Sequence, residues 1–258
     1  MAEKSLLIII PAYNEEKNIG PFLGQLRRLE VARQADILVV DDASADHTGE
    51  IAVGMGCTVV RGIYNLGYGS GLQIGYKYAL RNGYQYVIQM DADGQHDPCN
   101  AEALYAKLLE RDEDGRGADI VLGSRFLEGS VTYPMPAAKR VAWALFRLLI
   151  RLGAGQRITD PTTGLQGFSR RAFSFYAQYN HFDDKYPDAN MLMQMLLLGF
   201  RVEEIPSVMH PRTEGVGMHS GMKPILYMFR MMFSLIAVWL RIRIFHMDAE
   251  GLNEELVS

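Results

Sequence analysis

Cysteine is scarce: Cys57 and Cys99 are the only two in 258 residues. That excludes a disulfide framework and suits a reducing compartment. Positive charge is not in excess either. With 26 Lys and Arg against 30 Asp and Glu the net charge is −4, which argues against a general nucleic-acid binder, whose domain would be basic. No secretory leader is visible. Residues 1–5 run straight into Leu6-Leu7-Ile8-Ile9-Ile10 without a basic stretch or a small-residue cleavage site, so the expected location is the cytoplasm. Long apolar runs are missing too. The main candidate, 225–240, is interrupted by Arg230 and Ser234, and about sixteen helical residues reach ~24 Å, short of the ~30 Å hydrocarbon core. Two nucleotide signatures are absent. There is no G-x-x-x-x-G-K-[ST] loop, and Gly67-x-Gly69-x-Gly71 followed by Gly75 is neither G-x-G-x-x-G nor placed after the first strand. A P-loop enzyme is excluded and a nicotinamide cofactor is unsupported.

Hydrophobic residues make up 48% of the chain, enough for the core of one large α/β domain or of a domain with an appendage. Short apolar runs alternate with helical patterns. Strands are expected at 6–10, 37–40, 57–60, 86–90 and 119–122. Between them come a helix capped at Asn14 and running to about Leu29, one through Ile51, one ending at Arg81 and one over about 100–110. Such alternation means an α/β fold with a doubly wound, mostly parallel sheet. Beyond residue 130 the pattern changes. A helix is expected at 139–152, an approach to another at Phe168, a Met-rich helix at 188–198, a strand at 201–205 and a loop at 211–223. There is no internal repeat and no low-complexity linker.

Asp91-Ala92-Asp93-Gly94-Gln95-His96 begins where the strand at 86–90 stops. Carboxylates at i and i+2 with an amide at i+4 can converge on one hard cation. Mg²⁺ and Mn²⁺ suit such carboxylate-poor sites because they keep waters and take substrate phosphates. A solvated acidic turn is the plain alternative. Two further strand ends carry charge, Asp41-Asp42 and Gly123-Ser124-Arg125. Ligands of open α/β sheets sit at such ends, where acids could hydrogen-bond a base or ribose and an arginine could face a diphosphate. Locally, Asp42 could instead cap a helix and Arg125 could make a structural salt bridge. The glycines at 67–71 either let a ligand approach the backbone or simply start a helix. Arg140, Arg147 and Arg151 recur at helical spacing near Trp143. That stripe suits an anionic membrane surface and equally a solvated helix face. The segment 225–240, flanked by Arg241 and Arg243, fits an interfacial or partner-docking helix or an ordinary buried one, rather than a spanning one.

These stretches, with Pro11-Ala12-Tyr13-Asn14-Glu15, Val39-Val40-Asp41-Asp42-Ala43-Ser44-Ala45-Asp46-His47-Thr48 and Asn65-Leu66-Gly67, resemble the family 2 glycosyltransferases. Within that family they are similar to the branch of dolichyl-phosphate and polyprenyl-phosphate sugar synthases. The resemblance covers about residues 5–215, with the motifs in order. It implies a GT-A type fold that binds a nucleotide-diphospho-sugar, and inverting transfer. By the same resemblance Pro11, Tyr13, Glu15 and Asp42 hold the nucleoside, with Asp41 and Gly67 counted among the donor-binding residues. Asp91, Asp93 and Gln95 match the metal-binding D-x-D-x-Q. Arg125 matches the arginine facing the donor diphosphate, and Arg212, in Arg212-x-x-Gly215, a second phosphate-binding arginine. Asp160, in Asp160-Pro161-x-x-Gly164, matches an acid of the acceptor side, and Asp188 sits where relatives carry an acid near the acceptor. The lysine that synthases carry shortly after Arg212 has no counterpart in Val216-Gly217-Met218-His219, and long paired transmembrane helices are missing.

The expectation is a metal-dependent inverting transferase using Mg²⁺ or Mn²⁺. One catalytic domain would fill 1–222, with a donor-binding half at about 1–128 and an acceptor half at about 129–222. An apolar helix and tail at 223–258 would meet a membrane or a partner. Candidate catalytic residues are Asp93 through the cation, Asp188 as base, and Asp160; the last two could otherwise be helix caps. The acceptor is polyprenyl phosphate, whose second pKa of ~6 leaves it largely ionised and in little need of a base, or a hydroxyl of a lipid-linked saccharide, which needs a carboxylate. Arg140, Arg147 and Arg151 would face the lipid. Expected partners are the inner face of the cell membrane and a small membrane protein or second copy of the chain, and no nucleic acid. A non-catalytic nucleotide-sugar-binding subunit of a membrane complex is the alternative of another class.

Overall fold

β1 (Leu6–Ala12) forms where five successive large aliphatic side chains offer apolar surface to both faces of a sheet. From Leu6 to Ile10 no side chain is more than 1% exposed. Leu6, Ile8 and Ile10 enter one hydrophobic cluster and Leu7 and Ile9 the other, as the two-residue period of a strand requires. Each such burial is worth ~1.5–3 kcal/mol, so β1 anchors both layers. The structure, a computed structural model, describes residues 5–134, 137–179, 181–211 and 223–246.

The remaining elements follow as α1 (Glu16–Leu26), α2 (Glu30–Gln34), β2 (Ala35–Asp41), α3 (Thr48–Gly54), β3 (Thr58–Arg61), α4 (Tyr68–Arg81), β4 (Tyr86–Gln89), α5 (Asn100–Leu109), β5 (Ile120–Ser124), α6 (Ala137–Ala154), β6 (Gln166–Ser169), α7 (Arg170–Ala177), α8 (Ala189–Leu197), β7 (Val202–Pro206) and α9 (Lys223–Arg243). The sheet order is β3-β2-β1-β4-β6-β5-β7. All pairings are parallel except those of β6, which is antiparallel to both β4 and β5. One face is covered by α1, α2, α3 and α5, and the other by α4, α6, α7, α8 and α9. The expected doubly wound, mostly parallel sheet is present.

Two local expectations need correction. Asn14 does not cap α1: it sits at φ 56, outside the helix, and Glu15 takes the cap position without a side-chain cap bond. The stretch at Phe168 does lead into a helix, α7, but first forms a strand of its own, β6, which was not expected. Four residues containing a glycine carry too little periodicity to announce it. Gly167 is needed there, because a Cβ would stand 2.9 Å from Leu108 of α5.

The order of connections builds the crevice. After β3 the chain returns to place β4 on the far side of β1, so the carboxyl ends of β2, β1 and β4 open at a topological switch point. β6 separates β4 from β5, which sets Arg125 two strand spacings, ~10 Å, from the Asp91 strand. Among the described residues no helix is long and apolar enough to cross a membrane. α9 packs Met231, Leu235 and Ile242 inward against the core.

Candidate active site

The loops after β1 and β2 are stitched together by their own polar side chains. Asn14 Oδ1 accepts from Ala45 N and Asn14 N donates to Ser44 Oγ, at 2.8 and 3.0 Å. The first amides of α1 are satisfied across the loops: Glu15 N donates to Thr48 Oγ1 and Glu16 N to Asp46 Oδ2. This satisfies helix donors that have no intrahelical partner. Asp42 is not a helix cap by its own turn. Its two oxygens accept from Leu66 N and Gly67 N, each at 2.8 Å, and so hold the start of α4. Gly67 has φ 96, which favours glycine, and Gly69 packs against the backbone at 183–184, leaving no room for a Cβ.

These loops enclose a cavity of ≈ 430 Å³ lined by Pro11, Tyr13, Glu15, Asp42, Gly67, Asp91 and Asp93, together with Asn65, Tyr68 and Gly71. The volume lies within the usual range for a small-molecule site. The two glycine alternatives therefore coexist, since Gly67 and Gly71 both line the cavity and flank a helix start. Asp41 is placed elsewhere. Fully buried, it accepts from Ser44 N and lies 3.3 Å from Arg61 Nε, organising the loop. Larger clefts lie beside α1 (≈ 710 Å³) and between the 179–184 loop and α9 (≈ 590 Å³). Neither gathers the carboxyl ends of β1, β2 and β4.

Asp91 is held by a buried polar chain. Tyr68 donates to Asp91 Oδ1 at 2.9 Å and accepts from Gln89 Nε2 at 3.1 Å, while Tyr76 donates to Gln89 Oε1. Burial, reinforced by the Asp91 charge, pushes the Tyr68 phenol well above its ordinary range, so it stays a donor. On the other side Asp91 N donates to His96 Nδ1 at 2.9 Å, and His96 Nε2 lies 3.7 Å from Asp91 Oδ2. Burial pushes His96 down to about 4 despite the Asp93 charge; at neutral pH the ring is uncharged and its Nε2 carries the proton. Gly164 completes the cradle: a Cβ there would stand 2.9 Å from Asp91 Oδ2 and 3.1 Å from the Tyr68 hydroxyl. Asp93 Oδ1 accepts from Gln95 N at 3.0 Å. Gln95 does not line the cavity; its Nε2 donates to Tyr133 at 2.6 Å.

Arg125 and Asp160 form a buried bidentate pair. Arg125 Nε and Nη2 donate to Asp160 Oδ2 and Oδ1 at 2.6 and 2.7 Å, and Arg125 N donates to Oδ2 at 3.1 Å. The guanidinium lies 4.8 Å from the Trp143 ring. Asp160 is 0% exposed, and its amide and that of Thr159 donate to Glu204. Asp160 is therefore a clamp on Arg125, not a helix cap. Asp188 takes the position before α8, yet its side chain makes no cap bond. Tyr227 of α9 donates to Asp188 Oδ2 instead. Burial pushes Asp188 up to about 6, partly offset by the Tyr227 hydrogen bond and by the nearby Arg125 charge, while Asp91 and Asp183 raise it. The structure thus brings Asp188 within the electrostatic reach of Asp91 and Arg125. Arg140 and Arg151 are exposed on α6, and Arg147 lies 4.4 Å over the Phe126 ring. Arg212 lies outside the described residues.

The model of glycosyl transferase family 2 matches residues 7–176, two thirds of the chain. The chain belongs to this family. It is 33% identical over 225 residues to the undecaprenyl-phosphate mannosyltransferase of Micrococcus luteus, covering 84% of this chain and 88% of that one. It is 30% identical over 223 residues to the polyprenol monophosphomannose synthase of Mycolicibacterium smegmatis, covering 83% and 81%. A protein of Methanocaldococcus jannaschii is 35% identical, and the chain spans 65% of its length. Among solved structures, glucosyl-3-phosphoglycerate synthase from Mycobacterium tuberculosis, complexed with Mn²⁺, uridine diphosphate and phosphoglyceric acid, has a TM-score of 0.67 at 17% identity over 92% of this chain and 79% of that one. Mannosyl-3-phosphoglycerate synthase from Rubrobacter xylanophilus gives 0.66 at 19% identity over 98% and 77%. These likenesses show a shared GT-A type fold. In this family 2 glycosyltransferase, Tyr68, Gln89, His96 and Tyr227 join the site although none was singled out by sequence. Gln89, a lone amide in an apolar strand, was the available signal; Tyr227, from a distant helix, had none.

Proposed function

We propose that the protein transfers a sugar, with inversion, from a nucleotide-diphosphate donor to polyprenyl phosphate at a membrane surface, with the help of a divalent cation. The observation that carries this is the cavity at the switch point, whose lining joins Tyr13 and Asp42 on one side to Asp91 and Asp93 on the other. Two relatives named as polyprenyl-phosphate mannosyl enzymes support the acceptor class.

The donor set fits Mg²⁺ or Mn²⁺. Asp91 and Asp93 supply hard carboxylate oxygens, and among the described residues no third His, Cys, Asp or Glu completes a closed cage. A cation that keeps water and takes diphosphate oxygens needs no such cage. Asp91 and Asp93 would hold it, with Gln95 nearby in the loop. When bound, it supplies neutralisation of the charge gathering on the leaving diphosphate. Tyr13, 49% exposed at the cavity wall, offers a face for the base, and Asp42 is fixed by two backbone amides beside it. Arg125 is aimed by Asp160 on one edge, and among the described residues its Nη1 makes no hydrogen bond, so that edge can meet phosphate oxygens. Charge stabilised only as the glycosidic bond breaks raises the rate, not just the affinity. Arg140 and Arg151 would lie toward the lipid, Arg147 being stacked on Phe126 instead, and the protein would work from the inner face of the membrane as a peripheral enzyme.

A second reading keeps the donor chemistry but uses a hydroxyl of a lipid-linked saccharide. The Asp188 carboxyl, raised to about 6, favours it, because a hydroxyl needs a base and an ionised phosphate does not. Incubating the protein with radiolabelled nucleotide sugars, a divalent cation and polyprenyl phosphate separates the two. A lipid product labile to mild acid, formed without any saccharide, is expected. No lipid product with any donor would sink the proposal.

A further inference from the structure

Asp42 and Asp91 stand just beyond the ends of β2 and β4, on either side of β1, which sets them two strand spacings, ~10 Å, apart. One lies on the wall read above as holding the nucleoside and the other in the pair read as holding the cation. A nucleoside and a cation bound at those places would not touch. Three consecutive residues nevertheless join the two carboxylates. Leu66 N and Gly67 N donate to the two oxygens of Asp42, each at 2.8 Å. The next residue, Tyr68, opens α4, lines the cavity and donates to Asp91 Oδ1 at 2.9 Å.

The polarity of that last bond is fixed from behind. Gln89 Nε2 donates to the Gly164 carbonyl at 3.0 Å, which can only accept, so the amide nitrogen faces this way. The same nitrogen donates to the Tyr68 hydroxyl at 3.1 Å, while Tyr76 occupies Gln89 Oε1. The single Tyr68 proton is therefore left for Asp91. The other flank of the turn is closed as well. Ser70 N donates to Asp184 O at 3.0 Å, and a Cβ on Gly69 would collide with the backbone at 183–184. That backbone is braced in turn, because Asn190 Nδ2 donates to Asp183 Oδ2 at 3.0 Å. Backbone packed on backbone leaves residues 66–70 no room to withdraw from a ligand in the cavity.

We propose that Tyr68 is a positioning residue that couples the two halves of the donor site. A nucleoside filling the cavity against Gly67 and Tyr68 fixes the first turn of α4, Tyr68 holds Asp91 in one orientation, and the cation binds more tightly. The ordering done by the first ligand need not be repeated for the second, and by linkage the effect is reciprocal. The proposal rests on the reading of this cavity as a nucleotide-diphospho-sugar site. A tyrosine that merely satisfies a buried carboxylate would make the same hydrogen bonds and give no coupling.

Titration of the full chain with Mn²⁺, free ion being counted by its electron paramagnetic resonance signal, tests this with and without saturating uridine or guanosine. These nucleosides carry no phosphate to ligate the metal or to be repelled by Asp91 and Asp93, so any coupling passes through the protein. In the parent, one of them is expected to lower the Mn²⁺ dissociation constant about fivefold. Tyr68→Phe should bring that ratio close to one. Binding of the nucleoside alone, read by ligand-observed NMR without metal, should be unchanged. Tyr76→Phe deletes another buried hydroxyl of the same chain, one that does not touch Asp91, and should keep the parent's ratio. Melting temperatures report whether both variants fold, and the parent's ratio decides without any variant should Y68F be unstable. Mn²⁺ and nucleoside binding independently to the parent overturns the proposal and leaves the donor-site reading standing. So does a Y68F ratio equal to the parent's, or an equal loss in Y76F, which would mark general loosening. If neither nucleoside binds, or if D93A binds Mn²⁺ as the parent does, the donor-site reading falls and the proposal with it.

Discussion

The two walls of this cleft, the proposed donor side at the ends of β1, β2 and β4 and the wall carrying Arg125 and Asp188, are built differently. The first is made of short loops at neighbouring strand ends, tied by side-chain to backbone hydrogen bonds between loops, Asn14 to Ala45 and Asp42 to Gly67, and within one, Asp93 to Gln95. The opposite wall is assembled from distant segments: Arg125, proposed to face the donor diphosphate, is clamped by Asp160, and Asp188, the acceptor-side candidate, is held by Tyr227. The first kind of construction fixes the pocket from loops at adjacent strand ends. The second kind depends on segments far apart in the chain finding one another.

The largest effect should come from breaking the Arg125–Asp160 clamp. Asp160→Asn leaves Arg125 buried without its counter-charge, at a cost of about 3–5 kcal/mol, read as a fall in the urea midpoint. Asp93→Ala should leave stability nearly intact and cut sugar transfer about 10²–10³-fold, measured as initial rate at saturating donor. Were the rate and the function in cells unchanged, a non-catalytic binding role would gain. Gly164→Ala tests the seam between the two sides. Its Cβ would press on Asp91 and Tyr68, and a misplacement of this size should slow transfer by roughly tenfold or more with little change in unfolding.

The smallest effect separates the acceptors. Asp188, raised to about 6 by burial, acts as a base only when ionised, so transfer to a hydroxyl falls as pH drops through about 6. Tyr227→Phe removes a hydrogen bond that favours the ionised form and should move this acid limb to higher pH, besides costing about 1 kcal/mol of stability. With a lipid-phosphate acceptor a limb near ~6 would come from the phosphate itself and should stay where it is in the variant.

The same contrast explains what could be read in the chain beforehand. β1 was legible as five successive large aliphatic residues, and β2, β4 and β5 because apolar runs ended abruptly in acids or arginine, with Asp42, Asp91 and Asp93 at those ends. Asn14 was misassigned as a cap because its role lies in a partner loop thirty residues away. β6 was missed, and with it the displacement of Arg125 from the Asp91 strand, since Gln166 to Ser169 is short and has no apolar period. His96 stood in plain view beside Asp93, but only folding turns its ring back onto the Asp91 amide. Tyr227 and Glu204 act entirely through tertiary approach, and no local pattern marks them.

Calorimetric titration of the protein with uridine and guanosine diphosphates, each with and without Mn²⁺, tests the central claim most directly. One nucleotide is expected to bind measurably only with the cation, with binding lost in D93A. Equal affinity without the cation, or binding untouched by D93A, would contradict the assignment of Asp91 and Asp93 as the metal half of a diphosphate site.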